Sequence, residues 1–129
     1  MSVPRMPSNG EKSVVIALLQ SRPETRHLVS GLSDLLVADV ADGGMGSLSL
    51  VPKGVESGGR SFGKQIASGE FLDTDGVPVS LALNVDNENR LYELDVWKVD
   101  FTPLCRWPAP DEIKIISTST QRPQGGERV

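Results

Sequence analysis

Residues 77–101 read VPVSLALNVDNENRLYELDVWKVDF, and this stretch decides the fold. Its first ten residues alternate between apolar and polar or small side chains, which is the pattern of a strand with one buried face. Residues 87–89 (NEN) favour a turn, and alternation resumes after them. The stretch therefore predicts two adjacent antiparallel strands on one core. The apolar positions of the first strand are Val77, Val79, Leu81, Leu83 and Val85.

The second of these strands changes phase in its middle. Its apolar residues follow one alternation up to Val96 and the opposite alternation from Trp97 to Phe101. A shift of one residue turns every later side chain to the other face, unless a β-bulge absorbs it. We therefore predict a bulge near Val96–Trp97, which makes the apolar face continuous. The exposed face would then carry Glu93, Asp95, Lys98 and Asp100.

The chain before this sheet predicts helices. Ser8 and Glu11 have the spacing of a capping box, and apolar residues at helical spacing continue to Gln20. A strand is the competing interpretation because residues 14–16 (VVI) are β-branched. Residues 23–32 (PETRHLVSGL) predict a short second helix.

Further strands and turns complete the sheet. Residues 35–52 predict a hairpin around Asp42–Gly43–Gly44, because its glycines can adopt positive φ. Residues 60–73 predict another strand, in which Gly63 and Gly69 favour bulges or bends. The proline-rich segment 101–115 leaves the sheet and is expected to pack Leu104 and Trp107 on the core.

These elements define an α+β fold, with an N-terminal helix or helices packed on a mostly antiparallel meander sheet of four to five strands. The 129 residues suit one domain, which we place at residues 8–116. Residues 1–7 and 117–129 are polar and rich in proline or glycine, so they are expected to be disordered.

The composition points to a reducing compartment and away from membranes. The single cysteine, Cys105, excludes an internal disulfide. The longest apolar run, residues 14–19, is much shorter than the about 20 residues that cross a bilayer. No signal peptide pattern is present, and we expect a cytoplasmic protein.

The net charge of −4 is unevenly distributed. Residues 34–100 contain twelve acidic and five basic residues, a net charge of −7, whereas the flanks together carry +3. Nucleic acid binding requires basic residues against phosphates, so this centre disfavours it. It favours a basic protein or a cation, and the alternative is a solvated acidic face that serves solubility.

Common catalytic arrangements are absent from the sequence. Nucleophilic catalysis needs a nucleophile, a base and a group that orients the base, and His27 is the only histidine available to Cys105. No phosphate-binding or nucleotide-binding glycine motif occurs. The carboxylates of Glu93 and Asp95 could form an acid–base pair of the glycosidase type, but few aromatic residues remain to line a sugar site. We therefore predict a protein that is not an enzyme.

Metal sites are also disfavoured. One histidine and one cysteine cannot supply four zinc ligands. Residues 73–76 (DTDG) have the form of the opening of a calcium loop, but the later ligands are missing and a hairpin turn explains the same residues. No cofactor is expected.

Three motifs give a family resemblance: ADGGMGSLSL at 41–50, DTDGVPVSLALNVD at 73–86 and LYELDVWKVDFTPL at 91–104. In this order they resemble a small bacterial domain family of unknown function, with shared DGGMGS and ELDxWKxDFxPL motifs. The resemblance spans residues 34–104. It implies a fold more firmly than an activity, and small acidic bacterial domains of this kind are similar to immunity proteins by analogy of size and charge.

The sequence thus predicts a non-catalytic module that binds proteins, most specifically an immunity protein that neutralises a basic, nuclease-like toxin through an acidic sheet surface. The alternatives are a self-associating accessory domain and an enzyme that binds a small ligand or cation. The chain would be a monomer or a homodimer. The predicted partner-binding residues are Asp39, Asp42, Asp86, Glu88, Glu93, Asp95 and Asp100.

Overall fold

The computed structural model describes residues 3–56 and 58–116. Their helical elements are α1 (Asn9–Gln20), a 3-10 segment (Pro23–Asp34) and a 3-10 turn (Pro110–Glu112). The strands are β1 (Leu36–Asp39), β2 (Leu48–Val51), β3 (Phe62–Leu72), β4 (Pro78–Asp86), β5 (Leu91–Lys98) and β6 (Lys114–Ile116).

The strands of these residues form one antiparallel sheet in the order β1-β2-β5-β4-β3-β6. The predicted α+β class is confirmed, and β3, β4 and β5 form the expected meander. The predicted number of four to five strands is too low, because β6 adds a sixth at the edge and pairs with Ser68–Glu70. At three residues, β6 is too short to show an alternation in the sequence.

Helix α1 begins as its capping box predicts. Ser8 Oγ accepts a hydrogen bond from the Glu11 N–H at 3.1 Å, and Glu11 Oε1 accepts one from the Ser8 N–H at 2.8 Å. The competing strand interpretation of residues 14–16 is therefore wrong. The predicted second helix is present as the longer 3-10 segment, which begins at Pro23. The side chains that α1 buries in the core are Val14, Val15, Leu18 and Leu19.

The β1–β2 hairpin is confirmed, and Asp42 organises its loop. The Asp42 carboxylate accepts hydrogen bonds from the N–H groups of Met45 at 3.1 Å and Ser47 at 2.9 Å. Gly43 and Gly44 have φ values of 76° and 84°. These are left-handed conformations that side chains disfavour, so the loop depends on glycine there.

Strand β3 is bulged where Gly63 predicts it. The register with β4 shifts between Phe62 and Lys64, and a Cβ on Gly63 would lie 2.1 Å from Asp86 O. A second shift lies between Gln65 and Ala67, which includes no glycine. No register shift lies at Gly69, so of the predicted bulge or bend the bulge is not formed there. Its missing side chain instead admits Ile113, whose Cγ2 would be 2.8 Å from a Cβ there.

The predicted bulge at Val96–Trp97 is wrong. Strands β4 and β5 stay in register from Glu93 to Lys98. Their register shift lies between Asn84 and Val85 on β4, where β5 has Tyr92 as an extra residue. Lys98 is consequently buried in the interior, and Trp97 is exposed. The sequence pattern places both on the wrong face, because it does not reveal the acidic partners that let a lysine be buried.

Arg5, in the segment before α1, contacts the sheet. Arg5 forms a pair of backbone hydrogen bonds with Val37 of β1, at 2.7 and 2.8 Å. Its guanidinium also contacts the carboxylates of Glu11 at 2.8 Å and Asp39 at 2.7 Å. Arg5 thus connects the segment before α1 to the edge of the sheet, and the expected disorder of residues 1–7 stays a prediction. The expected disordered tail, 117–129, lies outside the described residues.

Candidate protein-binding face

Helix α1 and Leu32 of the 3-10 segment pack in the core on one face of the sheet, and we call the opposite one the open face. Side chains alternate between the two faces along each strand, as the burial of β4 and β5 shows. Across the middle of the open face the sheet register brings six residues into two rows. These rows are Glu70–Ser80–Trp97 and Ser68–Ala82–Asp95.

One corner of the open face is apolar, and we call it the aromatic corner. It consists of Leu72, Trp97, Val99 and Phe101, whose exposed fractions are 66%, 51%, 48% and 61%. The Trp97 and Phe101 rings meet edge to face, with centroids 5.0 Å apart and an interplanar angle of 67°. Large neighbouring apolar side chains that remain exposed together are typical of interaction surfaces.

Phe101 lies in a tight turn after β5. Its N–H donates to Lys98 O at 2.9 Å, and its φ is +64°, a left-handed conformation. The next turn is fixed by Asp100, whose Oδ1 accepts from the Thr102 N–H at 3.1 Å and from Thr102 Oγ1 at 2.7 Å. A residue with a side chain costs about 1–2 kcal/mol in this region. The turn therefore presents the phenyl ring at an energetic cost.

A buried lysine fixes the phase of β5 beneath this corner. Lys98 is fully buried, and its Nζ donates to Asp73 Oδ2 at 2.9 Å, Asp75 Oδ2 at 2.7 Å and the carbonyl of Pro103 at 3.0 Å. The ammonium thus uses its three protons on three acceptors. Because Lys98 points inward, its neighbour Trp97 must point outward.

Both ends of this buried ion pair stay charged. Burial acts to lower the pKa of Lys98, but its contacts with Asp75 and Asp73 outweigh this and raise the pKa above its usual value. Burial acts to raise the pKa of Asp73. Hydrogen bonds from the Cys105 N–H, Lys98 and the Thr74 N–H outweigh that effect and lower the pKa to about 2.

The same cluster bears on the alternative that residues 73–76 belong to a calcium-binding loop. Carboxylate oxygens of Asp73 and Asp75 and the Cys105 sulfur lie within 4.8 Å of one another, which is the spacing of metal ligands. The Lys98 ammonium contacts both carboxylates and supplies the positive charge that a cation would bring. These residues therefore do not fit a calcium site, and the hairpin-turn interpretation of residues 73–76 is the better one.

His27 belongs to a different part of the molecule. It lines a groove of 580 Å³ between the 3-10 segment and β3, with Leu28, Lys64 and Ile66 among its other walls. Cys105 is not one of the residues that line this groove. Its Sγ instead lies 3.6 Å from both Lys98 Nζ and Asp75 Oδ2. The geometry therefore does not support a Cys105–His27 catalytic pair.

Three predicted partner-binding residues lie on or beside the open face. Asp95 is exposed in the centre, and Asp100 is exposed in the turn at the aromatic corner. Glu93 is half-buried, and the Asn84 side chain donates to it at 3.4 Å. Burial, followed by the charge of Asp95, raises the pKa of Glu93. These side chains give the face a negative potential.

Three others lie elsewhere on the surface. Asp39 is at the β1 edge and pairs with Arg5. Asp42 is engaged within its own hairpin loop. Glu88 is in the β4–β5 turn, 3.6 Å from the Arg90 guanidinium. None of the three belongs to the rows that form the open face.

Asp86 is buried and cannot present its carboxylate to a partner. Its oxygens accept from Arg60 Nε at 2.9 Å, Arg90 Nε at 3.0 Å and the N–H groups of Glu88 and Arg90. Burial opposes ionisation, but these donors outweigh it and lower the pKa of Asp86 well below its usual value. Arg60 is itself buried against the carbonyl of Leu50, at 2.7 Å. The network is structural, and we remove Asp86 from the candidate surface.

Sequence analysis missed the aromatic corner. It assigned Trp97, Val99 and Phe101 to the core, because consecutive alternation with Lys98 and Asp100 resembles a half-buried strand. The signal that could have placed them outside is the pair of acids at Asp73 and Asp75, which can satisfy a buried lysine on a neighbouring strand.

The comparisons with known proteins give a family without an activity. Residues 4–108 match the model of a family described as a domain of unknown function (DUF6984). The chain belongs to the DUF6984 family. The match covers α1 and β1 to β5 and ends before β6. No curated protein and no solved structure matches the chain.

Membership in DUF6984 agrees with the predicted family of unknown function. It names neither a substrate nor a partner, so a function has to be argued from the site. Among the described residues, no helix is both long and apolar enough to cross a membrane.

Proposed function

We propose that this DUF6984 chain is a non-catalytic module that binds a basic protein through the open face of its sheet. In its most specific form, the proposal is an immunity protein that neutralises a basic, nuclease-like toxin. The observation that supports it is the exposed Trp97–Phe101 pair, bordered by acidic side chains. Aromatic anchors contribute much of the binding energy at protein interfaces, with polar groups around them.

The energetics of the corner favour a role outside folding. Full burial of a large apolar side chain stabilises a fold by about 1.5–3 kcal/mol, and Trp97 and Phe101 forgo much of that. Phe101 additionally adopts a left-handed φ. Strain of this kind is concentrated at functional sites, where the surrounding structure holds it in place. A partner that covers the corner would recover the lost burial.

The charge of the face indicates the chemistry of the partner. Asp95, Asp100 and Glu70 are exposed around or beside the aromatic corner, and Glu93 adds a half-buried carboxylate. A negative surface of this kind accelerates association with a positive one and opposes acidic partners. The substrate-binding surface of a nuclease is basic because it binds phosphates, which is why we favour a nuclease-like toxin.

Site-specific photo-crosslinking tests this proposal. Benzoylphenylalanine replaces Phe101 in one variant and, as a matched control on the opposite side of the molecule, the exposed Gln20 at the end of α1 in another. Both are irradiated in the source cells. We expect adducts with a basic protein from position 101 and none from position 20. Adducts only from position 20, or none from either, would refute binding through the open face.

Charge reversal tests the electrostatic part once a partner is known. Asp95→Lys combined with Asp100→Lys should slow association by about tenfold or more at low salt, because both charges face the approaching partner. The same pair of variants should reduce protection of cells that express a toxic partner. An unchanged association rate would show that the electrostatic mechanism is wrong.

Self-association is the second candidate, and the exposed aromatic corner is the observation in its favour. Two copies paired across a two-fold axis would bury both Trp97–Phe101 pairs. The same symmetry would place the exposed Asp95 and Asp100 of both copies at one interface, and this juxtaposition of like charges opposes such a dimer. Sedimentation over a range of concentrations distinguishes the two: a tight dimer whose formation is lost in Trp97→Ala would favour self-association.

A further inference from the structure

The open face contains a hollow of 280 Å³ beside the aromatic corner. The register explains why it exists. Small side chains of β4 occupy its centre, with larger side chains on β3 and β6 at one side and on β5 at the other. The residues that form it are Ser68, Glu70, Ser80, Ala82, Asp95 and Trp97, with Gln65, Gly69, Leu81 and Ile116 at its margins.

The width of the hollow suits one flat side chain. Glu70 and Trp97 flank Ser80 in one row, so they are separated by two strand spacings, about 10 Å. In the next row Ala82 lies between Ser68 and Asp95. The Ala82 side chain is a single methyl group, which leaves the space above it open between walls on both sides.

The lining chemistry calls for a cation. The hollow has an indole wall from Trp97 and two carboxylates, Asp95 and Glu70, and no lysine or arginine of the described residues lines it. Both carboxylates keep acceptor positions for a ligand. Within the part of the chain that the structure describes, Asp95 receives only a long contact from Ser47 Oγ at 3.5 Å, and Glu70 is 4.0 Å from Lys114 Nζ.

We propose that this hollow receives a single arginine side chain presented by the protein partner, an inference that rests on the proposed function. A guanidinium is planar, stacks on an indole and donates two parallel hydrogen bonds to a carboxylate. A lysine ammonium is a strongly hydrated point charge and uses neither the flat space nor the forked geometry. Selectivity for arginine over lysine is therefore the mark of this site.

The test uses short capped peptides and the full chain labelled with ¹⁵N. The probe is acetyl-Gly-Gly-Arg-Gly-Gly-amide, and its controls replace arginine by lysine or by citrulline, which has nearly the same shape without the charge. We expect the arginine peptide to shift the Trp97 indole signal and the amides of Ser68 and Ala82, with a Kd of roughly 1–10 mM. The lysine peptide should bind about threefold or more weakly, and the citrulline peptide about tenfold or more weakly.

Three variants locate the binding. Ala82→Leu fills the hollow without changing its charge and should abolish the shifts, while thermal unfolding verifies that it folds. Asp95→Asn should weaken binding about fivefold or more, because it removes the charged acceptor. Glu88→Gln removes an exposed acid in the β4–β5 turn and should leave the affinity within about twofold.

The outcomes separate this inference from the proposed function. Equal binding of the arginine and citrulline peptides, or binding that survives Ala82→Leu, would overturn the arginine site. A crosslinked basic partner whose affinity is the same for Ala82→Leu and the natural chain would also overturn it, with the proposed function intact. Arginine-selective binding in the hollow, together with no crosslinked protein from position 101, would support the site and contradict the proposed function.

Discussion

Replacement of Asp73 by asparagine should make the stability of the protein less dependent on acid pH. The Asp73 carboxylate is buried, with hydrogen bonds from Lys98 Nζ at 2.9 Å and the Cys105 N–H at 2.8 Å. An asparagine has a similar shape and can still accept the backbone hydrogen bond. What it lacks is the negative charge beside the Lys98 ammonium, and that charge is what titrates.

The magnitude follows from the pKa of Asp73, which falls from 3.8 to about 2 on folding. Each tenfold change in proton affinity is worth about 1.4 kcal/mol, so the ionised carboxylate stabilises the fold by about 2 kcal/mol. Because the folded pKa is the lower one, this stabilisation is present above the unfolded pKa, near pH 4. It is lost as the pH falls through the folded pKa, with about half remaining at pH 3.

The assay is urea-induced unfolding of the natural chain and Asp73→Asn between pH 7 and pH 2. The difference in the free energy of unfolding between the two proteins should shrink by about 2 kcal/mol over this range, since other acids titrate in both. Lys98→Met is the control. Without the ammonium, the pKa of Asp73 in the folded state should rise, so the contribution of Asp73 to the acid dependence of the free energy of unfolding should reverse or vanish. The reasoning would be refuted if the difference in the free energy of unfolding between the natural chain and Asp73→Asn stayed constant from pH 7 to pH 2.

Three further predictions concern other parts of the structure. Asp86→Asn leaves the buried Arg60 guanidinium without its negative partner and should lower the free energy of unfolding by about 3–5 kcal/mol in urea unfolding. Arg90→Ala, at the half-exposed end of the same network, should cost about 1 kcal/mol or less. Phe101→Gly and Phe101→Ala both remove the contact with Trp97 and should weaken partner binding, but only glycine adopts the left-handed φ without strain. Phe101→Gly should therefore be more stable than Phe101→Ala by about 1 kcal/mol in thermal unfolding, and equal stability would contradict the strain. Gly63→Ala places a Cβ 2.1 Å from a backbone oxygen and should lower the free energy of unfolding by more than about 2 kcal/mol in urea unfolding. Its control, Gly31→Ala, meets no atom within 4 Å and should be neutral or slightly stabilising in the same measurement.

Local patterns in the sequence were sufficient for most of the fold. The capping box of α1 and the alternation of β4 depend on residues a few positions apart, and each appears where it is predicted. The bulge at Gly63 could be predicted because a residue without a side chain is required there. Strand β6 could not, since its three residues become a strand only through pairing with Ser68–Glu70, about 45 residues earlier in the chain.

The candidate site was harder to predict because burial of its charges depends on distant partners. Alternation treats a lysine as exposed, yet Lys98 is buried by acceptors at Asp73, Asp75 and Pro103. It also treats an aspartate as exposed, yet Asp86 is buried by two arginines, one of them in the loop before β3. In both cases the sequence contains the partners, but only the tertiary structure shows that they meet.

The burial of Lys98 and the exposure of Trp97 are two consequences of one register. A shift of β5 by one residue would bury the indole and expose the ammonium, which is the arrangement that the hydrophobic effect alone favours. The protein instead uses two carboxylates and a carbonyl to hold the lysine inside. Proteins depart from the most stable pattern chiefly at functional sites, where the departure serves another purpose. The ion pair beneath β5 therefore supports the interpretation that the Trp97–Phe101 surface above it is maintained for a partner.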